Sequence, residues 1–445
     1  MAGSIKRQSR CQTTLFPASV DEYIAEENPV RFVDAFVETL DFESMRFTYA
    51  TPEATGRPPY DAANLAKLYS YGYLNRLRSI SGLEWECYRN VGLMWLMKRL
   101  APDFKTIADF RRDNGPALRE VCRQFTLLCR ELKLLSGRLV AIDGSKFKAV
   151  NSKRRNYSAR KLKQAIREAD EAIERYLKAL DEGDRDEPVE EAPNTQELQE
   201  KIASLKQRKA EDQKRLRTMG RRGEKQVSLT DPDSRCLSHG RGSTIGYNVQ
   251  TAVDEKHSLI VSHEVTNQVK DQGPLSPMAK AAKEVIGKEH LQVTADRGNY
   301  AVAVVKECLS HGIRPYMPKP NTSANTQLGL FGKTAFLWDA RRRCYWCPAG
   351  EKLRYRPTTE EKGRVIEYFV ASNCQSCHLL SRCTRSQENR RITRQVDEKL
   401  LEDMAKRVRS EPEKVRRRKA IVEHPFGRIK ASMGCGSFLT RGWRA

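Results

Sequence analysis

Asp143, Asp296 and Glu423 are carboxylates set in segments where an acid can do chemistry. Asp143 closes the apolar run Leu139-Val140-Ala141-Ile142 and precedes Gly144-Ser145-Lys146. Asp296 closes the alternating run Leu291–Ala295 and precedes Arg297-Gly298-Asn299-Tyr300, and Glu423 lies in a basic, helix-forming segment from Lys419 to Lys430. Hard divalent cations take oxygen ligands. Acids brought to one point by two strands and a helix can therefore hold a pair of Mg²⁺ ions for phosphoryl transfer. Taken singly, each has an ordinary role too, as a turn cap or a solvated helix acid; the ordered set of three is what points to chemistry.

A second constellation is made of cysteines. Cys344-x₂-Cys347 is followed by Cys374-x₂-Cys377 and by Cys383, with Pro348 and Gly350 turning the first pair. Paired turns of this spacing suit tetrahedral Zn²⁺, which takes four thiolates. Five cysteines leave one spare, and Cys344/Cys347 is the more regular pair. Cys11, Cys87, Cys122, Cys129, Cys236, Cys308 and Cys435 are scattered and read as core fillers. His239 and His263 flank a strand hairpin, His378 follows Cys377 and His424 adjoins Glu423; each has an ordinary surface or core role as its first reading.

These groups need elements to position them. The sequence predicts a short helix near Val30–Leu40, then a helical region from Pro59. There Asp61 caps one helix, Ser81 opens another running through Trp85, Tyr88 and Trp95, Thr106–Asp109 has capping-box spacing, and Pro116 starts a helix with a Leu118, Cys122, Phe125, Cys129, Leu132 stripe. A strand at 138–143 ends on the first aspartate. Residues 157–217 read as two charged amphipathic helices around an acidic break at Asp181–Glu191, a hairpin inserted into the core. From Gly246 the period is two: strands at Tyr247–Val253 and Leu259–Val265, a helix at Pro277–Ile286, the Asp296 strand, a helix at Tyr300–Ser310 and a strand at Gly312–Met317. The expected organisation is an N-terminal extension at 1–56, a helical domain at 57–135, and a mixed α/β core at 136–156 and 226–335. The helical domain reads either as a DNA-binding domain, from Arg76, Arg78, Lys98, Arg99, Arg111 and Arg112 near its helix ends, or as a purely structural bundle. The core is interrupted by the hairpin at 157–225 and followed by a Cys-rich insertion at 336–394 and a C-terminal helical segment at 395–445.

Bulk properties narrow the class. The chain has 445 residues, 39% of them hydrophobic, and a formal charge of +23 from 80 Lys+Arg against 57 Asp+Glu. That surplus suits a polyanionic partner, since each neutralised phosphate releases counterions. No stretch approaches the roughly 20 apolar residues of a membrane span, and the start of the chain lacks an apolar signal core, so no membrane role and a cytoplasmic location are expected. A reduced compartment agrees with metal-binding rather than disulfide-forming cysteines.

The Asp143-Gly-Ser-Lys, Asp296-Arg-Gly-Asn-Tyr and Glu423-His-Pro-Phe-Gly-x-x-Lys430 segments together resemble bacterial insertion-sequence transposases of the DDE class, from about Pro59 to nearly the end of the chain. The resemblance implies a ribonuclease-H-like mixed sheet flanked by helices. It implies that Asp143, Asp296 and Glu423 hold two Mg²⁺ (or Mn²⁺) ions for hydrolytic nicking at element ends and strand transfer into target DNA. It further implies a homodimer in the synaptic complex and work at the bacterial nucleoid. Lys430, two helical turns beyond Glu423, matches a basic residue that contacts DNA near the cleaved end. Arg416 and Lys419 occupy the family's Tyr and Arg offsets before the Glu, which keeps positive charge and loses an aromatic. The family's Cys-Pro-x-Gly and Cys-x-x-Cys pattern falls on Cys347, Cys374, Cys377 and Cys383, making Cys344 the spare in a zinc-ribbon-like module. Two rival readings remain: a catalytically decayed, truncated transposase that only binds DNA, its Glu-bearing helix left unsupported, and a nuclease with catalytic zinc. A closed, thiolate-rich site speaks against the second, since catalytic zinc needs an open coordination position.

Overall fold

A computed structural model of the chain describes residues 19–48, 59–183, 195–239, 242–268, 275–320, 323–361 and 364–442. Cys11, Arg57 and most of the acidic break at Asp181–Glu191 lie outside them. The chain divides into two compact units, Met1–Leu132 with Phe147–Tyr247 and Gly427–Ala445, and Lys133–Lys146 with Asn248–Phe426.

In the first unit, helices Pro29–Glu38, Ala62–Leu74, Ile80–Arg89, Val91–Leu96, Phe104–Asp113 and Gly115–Glu131 share one apolar core. Val37, Leu68, Leu93, Met97 and Ile107 are its fully buried centre. Ile24, Val30, Val33, Phe36, Val37 and Phe47 belong to that core, so the segment expected as an extension packs with the helices that follow. Side-chain caps set most helix starts: Asn28 accepts from Val30 N–H, Asp61 from Ala63 N–H, Ser79 from Gly82 N–H and Asp103 from Thr106 N–H. Ser79, not Ser81, opens its helix. The helix expected to run on to Trp95 breaks at Asn90, whose side chain caps the next one. The predicted stripe after Pro116 is displaced: Cys129 is buried, but the buried face is completed by Ala117 and Thr126, while Phe125 and Leu132 are exposed.

Lys67 is the unusual member of this core. Its ammonium is fully buried and held by Asp34 at 2.6 Å and by Glu38. Burial alone would lower its pKa, but the two carboxylates outweigh burial and hold it above the 10.5 of a free lysine. A raised lysine pKa contributes stability that is complete below 10.5 and is lost only as pH rises through the raised value. Lys67→Ala is therefore expected to cost about 3 kcal/mol, with the loss constant from pH 6 to 9 in denaturant melts. Lys67→Met, which refills the volume while the carboxylates turn to solvent, costs less.

The hairpin helices Ala159–Gly183 and Thr195–Arg222 pack through Leu162, Ala169 and Ile173 on one and Leu198, Ile202 and Met219 on the other. The ends of this insertion are tied together by a two-stranded ladder, Asn156–Ser158 against Gln226–Ser228.

Strands β1 (Leu139–Lys148), β2 (Gly242–Asp254), β3 (Ile260–Thr266), β4 (Leu291–Ala295) and β5 (Ile313–Tyr316) run side by side in the order β3-β2-β1-β4-β5, and the second unit holds β1 up to Lys146, β2 from Asn248, and all of β3, β4 and β5. β3 is antiparallel to β2, and β4 and β5 follow parallel to β1. The bonds Glu255 N–H to Leu139 C=O and Ala149 N–H to Ile245 C=O run in opposite senses along β1 and β2, which makes that pair antiparallel. Alternation then sorts the residues of β1 onto two faces. Val140 and Ile142 join Val293, Ala295 and Ile313 against α1 (Leu275–Ile286), α2 (Val302–Ser310) and α3 (Glu398–Ser410). Leu139 and Ala141 turn the other way, onto Ile421 and Val422 of α4 (Pro412–Gly427).

The Cys-rich segment is an antiparallel sheet of five strands, Leu337–Asp339, Cys344–Trp346, Lys352–Glu361, Arg364–Val370 and Arg391–Gln395. Trp338, Tyr345 and Phe369 form its aromatic centre, with ring centroids 4.9 to 5.4 Å apart. Arg394 is buried: its guanidinium stacks 4.2 Å over Trp338 and donates to Tyr345 Oη and Glu402.

Candidate active site

Register brings the first two acids together. β1 pairs with β4 as Leu139↔Gln292 through Ile142↔Ala295, a constant offset of 153 (292 − 139). Asp143 and Asp296 are also 153 apart (296 − 143), so they are the next pair along, on neighbouring strands spaced by about 4.8 Å. Asp143 follows Leu139 and Ala141 in alternation and so shares the face covered by α4. The strand does not end there: β1 continues to Lys148, and Asp143 sits in mid-strand with Gly144 N–H donating to its Oδ1 at 2.8 Å. Asp296 lies just past β4, at the start of a short 3₁₀ turn Arg297–Asn299.

One guanidinium serves both carboxylates. Arg418 of α4 donates to Asp143 Oδ2, and its other terminal nitrogen lies 3.7 Å from Asp296 Oδ1. Burial pushes the Asp143 carboxyl above the ordinary aspartate range, opposed by Arg418 and the Gly144 N–H and reinforced by the neighbouring Asp296.

Glu423 is not brought to this pair. Five residues after Arg418, it points about 140° away around the helix, is 62% exposed and pairs with Lys419 at 3.6 Å. The cations of this run divide among separate partners: Arg416 pairs with Glu413, Arg417 with the buried Glu255, Arg418 with the two aspartates and Lys419 with Glu423. Sequence reasoning missed Arg418. The available signal was its spacing to Ile421, Val422 and Pro425, the buried face of α4.

The face expected to join Glu423 to Lys430 is not continuous. At Arg428 the α-helix gives way to a π-helical turn, Arg428–Ser432, so two regular turns do not separate the residues. Lys430 lies 4.6 Å over the Phe147 ring, and burial lowers its pKa. The ground for an unsupported Glu-bearing helix is also absent: Ile421, Val422, Pro425 and Phe426 are buried. Beyond it, in the first unit, Phe438 packs on Phe147 and Tyr247 and bonds through its N–H to Lys148 C=O. His424 is exposed, as is His263.

Among the described residues, no three His, Cys, Asp or Glu side chains are gathered so as to hold a metal ion. The thiols nonetheless have an arrangement of their own. Cys347, Cys374, Cys377 and Cys383 line one cavity of about 30 Å³, and Cys344 is buried outside its lining. Three sulfurs accept backbone N–H bonds: Cys347 from Glu351 at 3.3 Å, Cys374 from Arg390 at 3.2 Å and Cys377 from Leu379 at 3.4 Å.

Comparison with known proteins places transposase domains at both ends of the chain. Residues 18–113 match the family described as Transposase domain (DUF772), and residues 346–445 match Transposase DDE domain. No curated protein matches. Among solved structures the chain is similar to that of piggyBac transposase in a synaptic complex with hairpin DNA, at 8% identity and a TM-score of 0.26. That match covers 76% of this chain and 54% of the other, so it spans about half the length of the solved relative. No described helix is long and apolar enough to cross a membrane.

Proposed function

The chain belongs to the insertion-sequence DDE transposases, and on that premise we propose that it binds the ends of its element and catalyses metal-dependent strand cleavage and strand transfer. The observation that carries the reading is the Asp143–Asp296 pair, set side by side by the register of the parallel strands β1 and β4. The strand order β3-β2-β1-β4-β5, three antiparallel strands followed by two parallel to the first, supports a ribonuclease-H-like core. The pair fits a divalent cation in donor type, and the Arg418 guanidinium already stands between the carboxylates as a positive charge. Asp143 and Asp296 would hold Mg²⁺ or Mn²⁺, with Glu423 as third ligand. When bound, such ions lower the pKa of an attacking hydroxyl and stabilise the leaving oxygen.

The protein's own part is positional. β1 and β4 fix the two carboxylates by backbone register, and Gly144 N–H holds one oxygen of Asp143. The net +23 supports attraction of DNA through phosphates without sequence choice. Lys419, Arg416 and Lys430 are assigned to the DNA near the cleaved end, and a homodimer to pairing of two ends.

Labelled duplex carrying the inverted repeats that flank the gene tests this reading. Nicking at the repeat boundary in Mg²⁺ or Mn²⁺, absent in EDTA, is the expected result. Retention of that DNA without nicking in either metal would replace the enzyme with a DNA-binding protein.

The same reading assigns the four thiols a structural zinc. Sulfurs that already accept N–H bonds around a water-sized cavity have the donor chemistry zinc takes. One zinc per chain is expected by elemental analysis, lost in Cys374→Ser with Cys377→Ser and kept in Cys344→Ser. Zinc-free protein of unchanged thermal stability would remove the assignment.

A further inference from the structure

We infer that Arg418 is a displaceable internal counter-ion, which holds the aspartate pair in the metal-free protein and keeps α4 turned with Glu423 outward. The inference rests on the proposed metal site and concerns its regulation.

Two carboxylates side by side on neighbouring strands repel each other, and a cation must offset them for the strands to pack as they do. Arg418 supplies it: its side chain is only 17% exposed and reaches Asp143 and Asp296 with different nitrogens. A planar guanidinium spans two carboxylates in a way that a lysine ammonium does not. The neighbouring cations are engaged elsewhere, Arg417 on Glu255 at 2.8 Å and Lys419 on Glu423. Arg418 is thus the member of this run aimed at the acids.

Helix geometry then makes Arg418 and Glu423 alternatives. With Arg418 facing the aspartates, Val422 lies about 40° and Ile421 about 60° to either side of it, and both are buried. Glu423 is about 140° away. Both residues cannot face the pair from one straight, unrotated helix. Recruiting Glu423 therefore requires α4 to turn or unwind, and that motion withdraws Arg418. The π-helical turn directly after α4 is a place where such a change of winding can be absorbed.

Binding of a divalent cation at the pair then has to break the charge-assisted hydrogen bond to Asp143 and the longer ion pair to Asp296, which weakens the apparent affinity about ten- to a hundredfold. The test is Mn²⁺ binding to the full-length protein without DNA, followed by paramagnetic resonance of free Mn²⁺, for the wild type, Arg418→Gln, Arg418→Lys and Asp143→Asn. Arg418→Gln is expected to bind Mn²⁺ at least tenfold more tightly than wild type, and Arg418→Lys to fall between them. In EDTA, Arg418→Gln is expected to melt below wild type, with most of the difference restored by Mn²⁺. Affinity that is unchanged or weakened in a folded Arg418→Gln, with Asp143→Asn losing binding, overturns the counter-ion while leaving the metal site intact. Equal Mn²⁺ binding by Asp143→Asn and wild type overturns the metal site itself. If Arg418→Gln fails to fold, Arg418→Lys decides: wild-type affinity rejects the inference and tighter binding supports it.

Discussion

Alanine at Asp143 or at Asp296 is expected to abolish nicking of element-end DNA while leaving DNA retention almost unchanged. The two acids carry the proposed reaction because they are the pair that backbone register places side by side. Removing one takes away a ligand and the charge stabilisation that goes with it, worth several kcal/mol in the transition state. That corresponds to a fall in rate of roughly a thousandfold or more. Retention rests on a different property, the charge of +23 spread along the chain. Losing one carboxylate should not weaken binding, and the salt dependence of retention should keep its slope. Glu423→Gln is expected to lose nicking to a similar degree, although Glu423 pairs with Lys419 at the surface in the structure described. A single-turnover nicking assay on folded variants checks all three. Wild-type rates for Asp143→Ala and Asp296→Ala would remove the pair from the reaction; a wild-type rate for Glu423→Gln alone would leave a two-aspartate site.

Much of this site was legible in the sequence because strands advertise themselves by burial. The runs Leu139–Ile142 and Leu291–Ala295 are apolar enough to be core strands, and the following acids were found from them. What could not be read was register. The 153-residue spacing looks like a loop length until β1 and β4 pair with that same offset. The continuation of β1 to Lys148 was hidden because Asp143-Gly-Ser-Lys has turn composition, and the pairing that keeps it extended comes from residues near Ile245, a hundred positions away. Arg418 was hidden for a related reason. In Arg416-Arg417-Arg418-Lys419 every side chain is a cation, and only the phase of the buried residues 421, 422 and 425 selects the inward one. The five strands of the Cys-rich segment were missed because Lys352–Glu361 is exposed along most of its length and charged at half its positions, so alternation has no apolar face to show. In the N-terminal helices the caps were misplaced by a few residues, since Ser79 and Ser81, or Asp103 and Thr106, are chemically equivalent candidates until the packed core chooses between them.

The same strand pairing dictates the last prediction: Gly246→Ala should be among the most damaging single substitutions in the protein. β1 and β2 approach so closely that a Cβ on Gly246 would lie 1.9 Å from the Phe147 carbonyl oxygen and 3.1 Å from Lys148 Cα. Those are backbone atoms, so no side chain can swing aside. The strands must separate, and the neighbouring Ala149 N–H to Ile245 C=O bond of 3.0 Å would be stretched or lost. Overpacking of this kind costs about 1–3 kcal/mol, and each buried polar group left unpaired adds about 1–3 more. A drop in melting temperature on the order of 10 °C is expected, together with loss of soluble protein. Phe147 is four residues beyond Asp143 on the same strand and face, so Mn²⁺ binding at the aspartate pair should weaken even in the fraction that folds. Gly220→Ala is the matched control. Gly220 is inside the helix Thr195–Arg222, and a Cβ there meets nothing within 4 Å, so alanine should stabilise by about 0.5–1 kcal/mol through helix propensity. If Gly246→Ala melts like wild type, β1 and β2 are not this close. The extended backbone that carries Asp143 would then need a different support.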